Sequence, residues 1–117
     1  MAEKTPTRKT FTFEEARKLL PEVRARTAAA IETLKEPQFT LQSDDLTAEE
    51  REELEEEARR ILLLWAQDLI AKGLEVKGPF LVDFDSGGGY YCWRWPEERL
   101  EYFHGYSEGF AGRVRLQ

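Results

Sequence analysis

Residues 80–113 read FLVDFDSGGGYYCWRWPEERLEYFHGYSEGFAGR and hold the chain's one Cys and one His. Phe80 to Asp85 and Gly89 to Trp95 alternate in polarity, the two-residue period of half-buried strands. Ser86-Gly87-Gly88-Gly89 lies between them. A two-residue type I′ turn needs positive φ at both central positions, which Gly87-Gly88 supplies without steric cost. That turn sets Phe84 opposite Tyr91 and Val82 opposite Trp93. A second tight turn at Glu97-Glu98 predicts Trp95 opposite Leu100, Trp93 opposite Tyr102 and Tyr91 opposite His104. One face then collects Phe80, Val82, Phe84, Tyr91, Trp93, Trp95, Leu100 and Tyr102. The other collects Leu81, Asp83, Asp85, Tyr90, Cys92, Arg94, Glu101 and Phe103. A one-residue slip of the first strand would set Asp83 among the aromatics, so the apolar pattern selects this register. Leu74 to Lys77 predicts a further short strand, closed by Gly78-Pro79.

Two helices precede this sheet. Thr12-Phe-Glu-Glu15 is a capping box, and Phe13, Ala16, Leu20, Val23, Thr27, Ala30 and Leu34 recur at helical spacing. Pro21 lacks an N–H and crowds the preceding turn, which predicts a kink or a restart there; Pro37 is expected to end the segment. Thr47-Ala-Glu-Glu50 is a second capping box. It opens a helix that runs to Gly73, with a stripe of Leu54, Ala58, Ile61, Trp65 and Leu69. Leu62, Leu63, Ala66 and Ile70 widen that stripe. Its first half is almost all charge, with Arg59 and Arg60 at pairing distance from Glu55 and Glu56. The second helix outruns what a small sheet can cover, so its outer half is either solvated or meets another chain.

The expected fold class is α+β: a long antiparallel helical hairpin packed on one face of a three- to four-stranded antiparallel β-meander. Length predicts one domain over 1–117, with a flexible lead-in at 1–10, the hairpin at 11–73, and the sheet and C-terminal turn at 74–117. The net charge of −6 disfavours nucleic-acid binding, which depends on neutralising phosphates. No apolar run is long enough for a membrane span, and MAEKTPTRKT, basic but without an apolar core, is not expected to act as a secretory signal. A lone Cys suits a reducing, cytoplasmic setting. The chain has no Asn and abundant Glu and Arg, a thermophile-like composition.

LVDF at 81–84, CWRW at 92–95, Glu97, Tyr102-Phe-His104 and Gly109-Phe-Ala-Gly-Arg113 resemble the C-terminal signature of a bacterial family, domain of unknown function 2203. Phe11-Thr-Phe-Glu-Glu-Ala16 and Leu19-Leu-Pro-Glu-Val23 resemble its N-terminal motif. Pro96 stands where the family tends to have Gly, and Phe103 where Trp is usual. The resemblance spans nearly the whole chain and implies a fold without an activity.

The polar residues of the sheet admit two readings. Asp83, Arg94 and Glu101 form a cross-strand charge ladder, or Arg94 binds a carboxylate or other anion with Asp83 orienting it. His104 is a core-edge imidazole bonded to backbone, or an acid–base or metal-ligating group. Gly109 to Gly112 is a tight turn returning to the sheet, or a backbone cradle for a small anion with Arg113. Cys92, beside Asp83, reads as packing, because a neighbouring carboxylate opposes the thiolate. No zinc-type spacing of Cys and His is present, so no metal ligands are assigned, and no cofactor is identified. With a single His, and Ser107 the serine nearest to it, no nucleophile–base–acid triad assembles. The first functional expectation is a non-enzymatic module that self-associates as a homodimer through the long helices or the open sheet face, where Leu81, Tyr90 and Phe103 are expected to be exposed. The alternative is a small-anion or metal site, possessing catalysis or not, around Asp83, Arg94, His104 and Arg113.

Overall fold

A computed structural model describes residues 9–116. Of the lead-in expected over 1–10, all but Lys9 and Thr10 lie outside the described residues. Helix α1 spans Phe13–Thr40 and helix α2 spans Ala48–Ala71. Both begin with the complete capping box: Thr12 with Glu15, and Thr47 with Glu50, each exchanging both bonds at 2.8 and 3.0 Å. At 1.5 Å per residue α2 is about 36 Å long.

Two expectations for α1 are corrected. The helix does not restart at Pro21, and it continues past Pro37 to Thr40. Each proline removes one backbone bond, but Leu20, Val23, Leu34 and Pro37 itself are buried, and tertiary burial outweighs the local cost. The hairpin is closed by Arg51, whose guanidinium donates to the carbonyls of Leu41 and Ser43, each at 3.0 Å. Arg59 pairs with Glu56 at 2.6 Å.

Strands β1 (Glu75–Gly78), β2 (Leu81–Asp85), β3 (Tyr90–Arg94), β4 (Tyr102–His104) and β5 (Val114–Arg115) form one antiparallel sheet in chain order. The sheet therefore has five strands where three or four were expected. The fifth arises because a short 3-10 helix, Phe110–Gly112, turns the chain back beside β4. The β2–β3 register is the expected one, with Phe84 opposite Tyr91 and Val82 opposite Trp93. Of the two central turn glycines only Gly87 has a positive φ, at 91°, so the turn has the positive-φ pattern of type II′ and not I′.

The β3–β4 register differs. Tyr90 pairs with His104, Tyr91 with Phe103 and Cys92 with Tyr102, one residue from the expected alignment. The cause is the connection 95–101, which is not a two-residue turn but a loop built around Glu97. The Glu97 carbonyl accepts the Trp93 indole N–H at 2.8 Å and the Arg24 Nε–H at 3.1 Å. Its carboxylate accepts the Arg94 backbone N–H at 2.9 Å and the Arg113 guanidinium. Because side chains alternate along a strand, the one-residue shift turns β4 over. Phe103 packs on Tyr91, while Tyr102 and His104 move to the face that carries Asp83 and Cys92.

The helices cover one face of the sheet. Val82, Phe84 and Trp93 meet Ala16, Leu20 and Val23 of α1 and Trp65 and Leu69 of α2 in a single buried core. Phe11 is tied to the end of β2 by its backbone N–H to Asp85 O at 2.7 Å, and its ring meets Phe84 edge-on. The opposite face is not open, as had been expected. Tyr106 stacks edge-on against Tyr90, and Arg113 lies over the rings of Tyr102 and Phe110. Tyr90 is buried and Leu81 half-buried, while Phe103, turned to the helix side, is half-buried against Tyr91. Among the described residues no helix is long and apolar enough to cross a membrane.

One polar link crosses the helix pair inside the core. Thr27 Oγ1 donates to Val23 O at 2.8 Å and accepts the Trp65 indole N–H at 2.9 Å. Thr27→Val keeps the volume and orphans the indole, so we expect a loss of about 1–3 kcal/mol in urea unfolding. Thr27→Ser keeps the acceptor and should lose less than Thr27→Val.

Candidate functional site

The flipped β4 brings together Asp83 of β2, Cys92 of β3 and His104 of β4. Asp83 lies directly opposite Cys92, and Tyr90, two residues before Cys92, lies opposite His104. One ligating atom from each lies within 4.8 Å of the others, and the residues are only 1%, 1% and 4% exposed. The tilted Tyr90 ring covers His104, with centroids 5.3 Å apart, and Tyr106 packs behind Tyr90. Tyr106 is in turn held by its hydroxyl, which donates to Asp85 Oδ1 at 2.6 Å.

The hydrogen bonds of His104 constrain its chemistry. Nδ1 lies 2.8 Å from the Gly105 carbonyl oxygen, which can only accept, so Nδ1 carries a proton. Nε2 lies 3.0 Å from Asp83 Oδ2. A ring lone pair and a carboxylate oxygen hold that distance only by sharing a proton or a cation. Asp83 Oδ1 is buried and has no hydrogen-bond partner among the described residues. Such an oxygen is costly to bury unless something positive approaches it.

Two further charges stand at the rim. Lys77 Nζ lies 3.4 Å from Asp83 Oδ2, 3.5 Å from Glu75 Oε1 and 4.0 Å from the centre of the Tyr90 ring. Burial works to lower its pKa, but the charge on Asp83, with smaller help from Tyr90 and Glu75, holds it above the usual lysine value. Glu75 is fixed by the Tyr90 hydroxyl, which donates to its two oxygens at 3.0 and 3.1 Å. On the other side Arg113 Nη1 lies 3.9 Å from Cys92 Sγ. Burial first, and the Asp83 charge second, push the Cys92 thiol up to about 12; Arg113 opposes this and does not overcome it.

Of the four residues singled out from the sequence, the structure joins Asp83 and His104. Arg94 is exposed, pairs with Leu81 across the strands and lies over the Phe110 ring at 5.3 Å. Arg113 is ion-paired with Glu97 and reaches the site only through Cys92. The two arginines therefore do not converge with Asp83 and His104 on a common anion. Cys92 is the residue missed. Its place beside Asp83 was legible, but the misaligned β4 put His104 on the other face and hid the trio. Ligand spacing gave no signal either, because the three residues come from three successive strands and not from a local motif.

The trio offers one thiol, which binds a metal as its thiolate, one imidazole and one carboxylate, the donor types of a zinc-type site. Usual bond lengths place tetrahedral donors about 3.3–3.8 Å apart, so the widest pair of the trio has to close by up to about 1 Å while His104 Nε2 and Asp83 Oδ2, 3.0 Å apart, open slightly. His104 is also oriented as metal-bound imidazoles are, with its other nitrogen donating to a backbone carbonyl. Asp83 Oδ1 could supply a fourth donor by making the carboxylate bidentate.

A model of the family described as "Uncharacterized conserved protein (DUF2203)" matches residues 9–116. No curated protein and no solved structure matches the chain.

The buried thiol gives the metal-free protein a pH signature. Below the ordinary value of 9.0 it is protonated in both folded and unfolded chains and has no effect. As pH rises from there towards about 12 the unfolded chain releases a proton that the fold retains, so stability falls through that window. In chelator-treated protein, Cys92→Ala should flatten the loss between about pH 8.5 and about pH 10.5, read from urea midpoints. Equal slopes for the two proteins would mean that burial does not hold the thiol protonated.

Proposed function

The chain belongs to the DUF2203 family, whose description assigns no activity, and we propose on geometric grounds that it is a metal-binding protein. Asp83, Cys92 and His104 hold one zinc-type divalent cation between three neighbouring strands. The observation that carries this reading is His104 Nε2 set 3.0 Å from Asp83 Oδ2, beside a buried thiol and an Asp83 Oδ1 with no hydrogen-bond partner among the described residues. A cation satisfies all of these at once. Thiolate and imidazole favour zinc over magnesium or calcium, which take oxygen ligands. The ion would replace the thiol proton and any proton shared by His104 and Asp83.

The role is structural. Catalytic zinc sites keep an open position for substrate, whereas these ligands lie beneath Tyr90 and Tyr106. An ion bonded to β2, β3 and β4 staples the three central strands of the sheet. A reducing compartment such as the cytoplasm would keep the lone thiol available as a ligand.

Cobalt(II) added to chelator-treated protein should bind one ion per chain and give thiolate-to-cobalt charge-transfer absorption with tetrahedral d–d bands. Cys92→Ser should lose the charge-transfer band, and His104→Ala should lose binding. Zinc at about 100 times its Kd should stabilise the native protein by about 2.7 kcal/mol. Wild-type protein that takes up neither ion would overturn the reading.

A second reading, homodimerisation, has its own observation. Leu63 of α2 is 56% exposed and, with Leu62, Ala66, Val76 and Pro79, lines an apolar groove of about 760 Å³; Ile70, seven residues on from Leu63 along the same helix, is 55% exposed. The rim carries both signs, in Glu56, Arg59, Arg60 and Lys77. A second copy related by a two-fold axis can therefore pair opposite charges around an apolar centre. Light scattering after size exclusion should give twice the chain mass, and Leu63→Glu with Ile70→Glu should halve it while leaving the circular dichroism unchanged. A wild-type monomer at high micromolar concentration would end this reading.

A further inference from the structure

We infer that Lys77 is the resident cation of the Asp83–Cys92–His104 site, and that a metal ion enters by driving the Lys77 ammonium off Asp83; the inference rests on the metal-binding reading above. Asp83 Oδ2 is approached by two groups, His104 Nε2 at 3.0 Å and Lys77 Nζ at 3.4 Å. Lys77 thus neutralises the buried carboxylate when no metal is there, which a fully buried charge requires. A divalent ion bonded to Asp83 would stand within a few ångströms of that ammonium, and the two like charges repel strongly in so poorly hydrated a place.

The exit for Lys77 is built in. Its side chain is 38% exposed, whereas Asp83 is buried. The residue lies on β1, an edge strand, and its ammonium already rests 3.5 Å from Glu75 Oε1. Glu75 is anchored by the Tyr90 hydroxyl, so it offers a fixed second partner outside the trio. A small rotation of the flexible four-carbon stem exchanges Asp83 for Glu75 and solvent. The site therefore has two charge-balanced states, one in which the protein's own amine faces Asp83 Oδ2 and one in which a metal does.

Competition of this kind sets the affinity. Lys77→Met removes the competing charge and keeps the apolar stem, so cobalt(II) should bind about tenfold tighter or more than to wild type. Lys77→Arg keeps the charge and should bind no tighter than wild type. The thermal midpoints should move in opposite directions: relative to wild type, Lys77→Met should melt lower in chelator and higher in saturating zinc. A residue with only a structural role would lower both. Normal cobalt binding by wild type with unchanged or weaker binding by Lys77→Met overturns this inference and leaves the metal site standing. No binding by wild type overturns both.

Discussion

Glu97 accepts hydrogen bonds from four places: the Trp93 indole, the Arg24 side chain, the Arg94 backbone and the Arg113 guanidinium. These tie the end of β3, helix α1 and the C-terminal segment to a single residue. The Arg24 contact fixes the loop to the helical layer. The Arg113 contact draws the chain after β4 across the far face. Between them they determine how many residues the β3–β4 connection takes up, and hence which way β4 faces. With two residues in that turn, His104 would lie on the helix side. With the loop as built, it lies beside Asp83 and Cys92.

The two faces of the sheet are held by different physics. The helix side is a hydrocarbon core around Trp93, Phe84 and Leu69, where burial of apolar area dominates. The far side buries two carboxylates, an imidazole and a thiol, under rings and cations supplied by the C-terminal segment and β1. Such groups add little stability as a set and are costly when one partner is removed. Their burial in so small a protein is what directs attention to this face.

Local signals were read correctly where they were complete in themselves. Both capping boxes occur as spelled, because a Thr and a Glu three residues apart satisfy each other without outside help. The β2–β3 register followed from glycines that tolerate the turn and from Asp83 being excluded from the core side. Pro21 and Pro37 misled because their local cost is outweighed by burial of the helix around them, at Leu20 and Val23 beside the exposed Pro21 and at Leu34 and Pro37 itself. The β3–β4 register could not be read because its loop is shaped by Arg24 and Arg113, 73 and 16 residues from Glu97. The covering of the far face was hidden for a similar reason: Tyr106 and Arg113 find their places only through partners in other strands. The candidate site was half legible, with Asp83 and His104 named and Cys92 set aside.

Strand order equal to chain order has a kinetic meaning. Asp83 and His104 are 21 residues apart, yet β3 lies between them, so they meet by two successive hairpin closures and without the closing of one long loop. Each closure is local and entropically modest. The trio is complete only when the second hairpin has locked in its loop-determined alignment. Its assembly is therefore a late event in forming the sheet, and an ion that needs all three ligands would act on the finished meander as a latch, not as a nucleus for it.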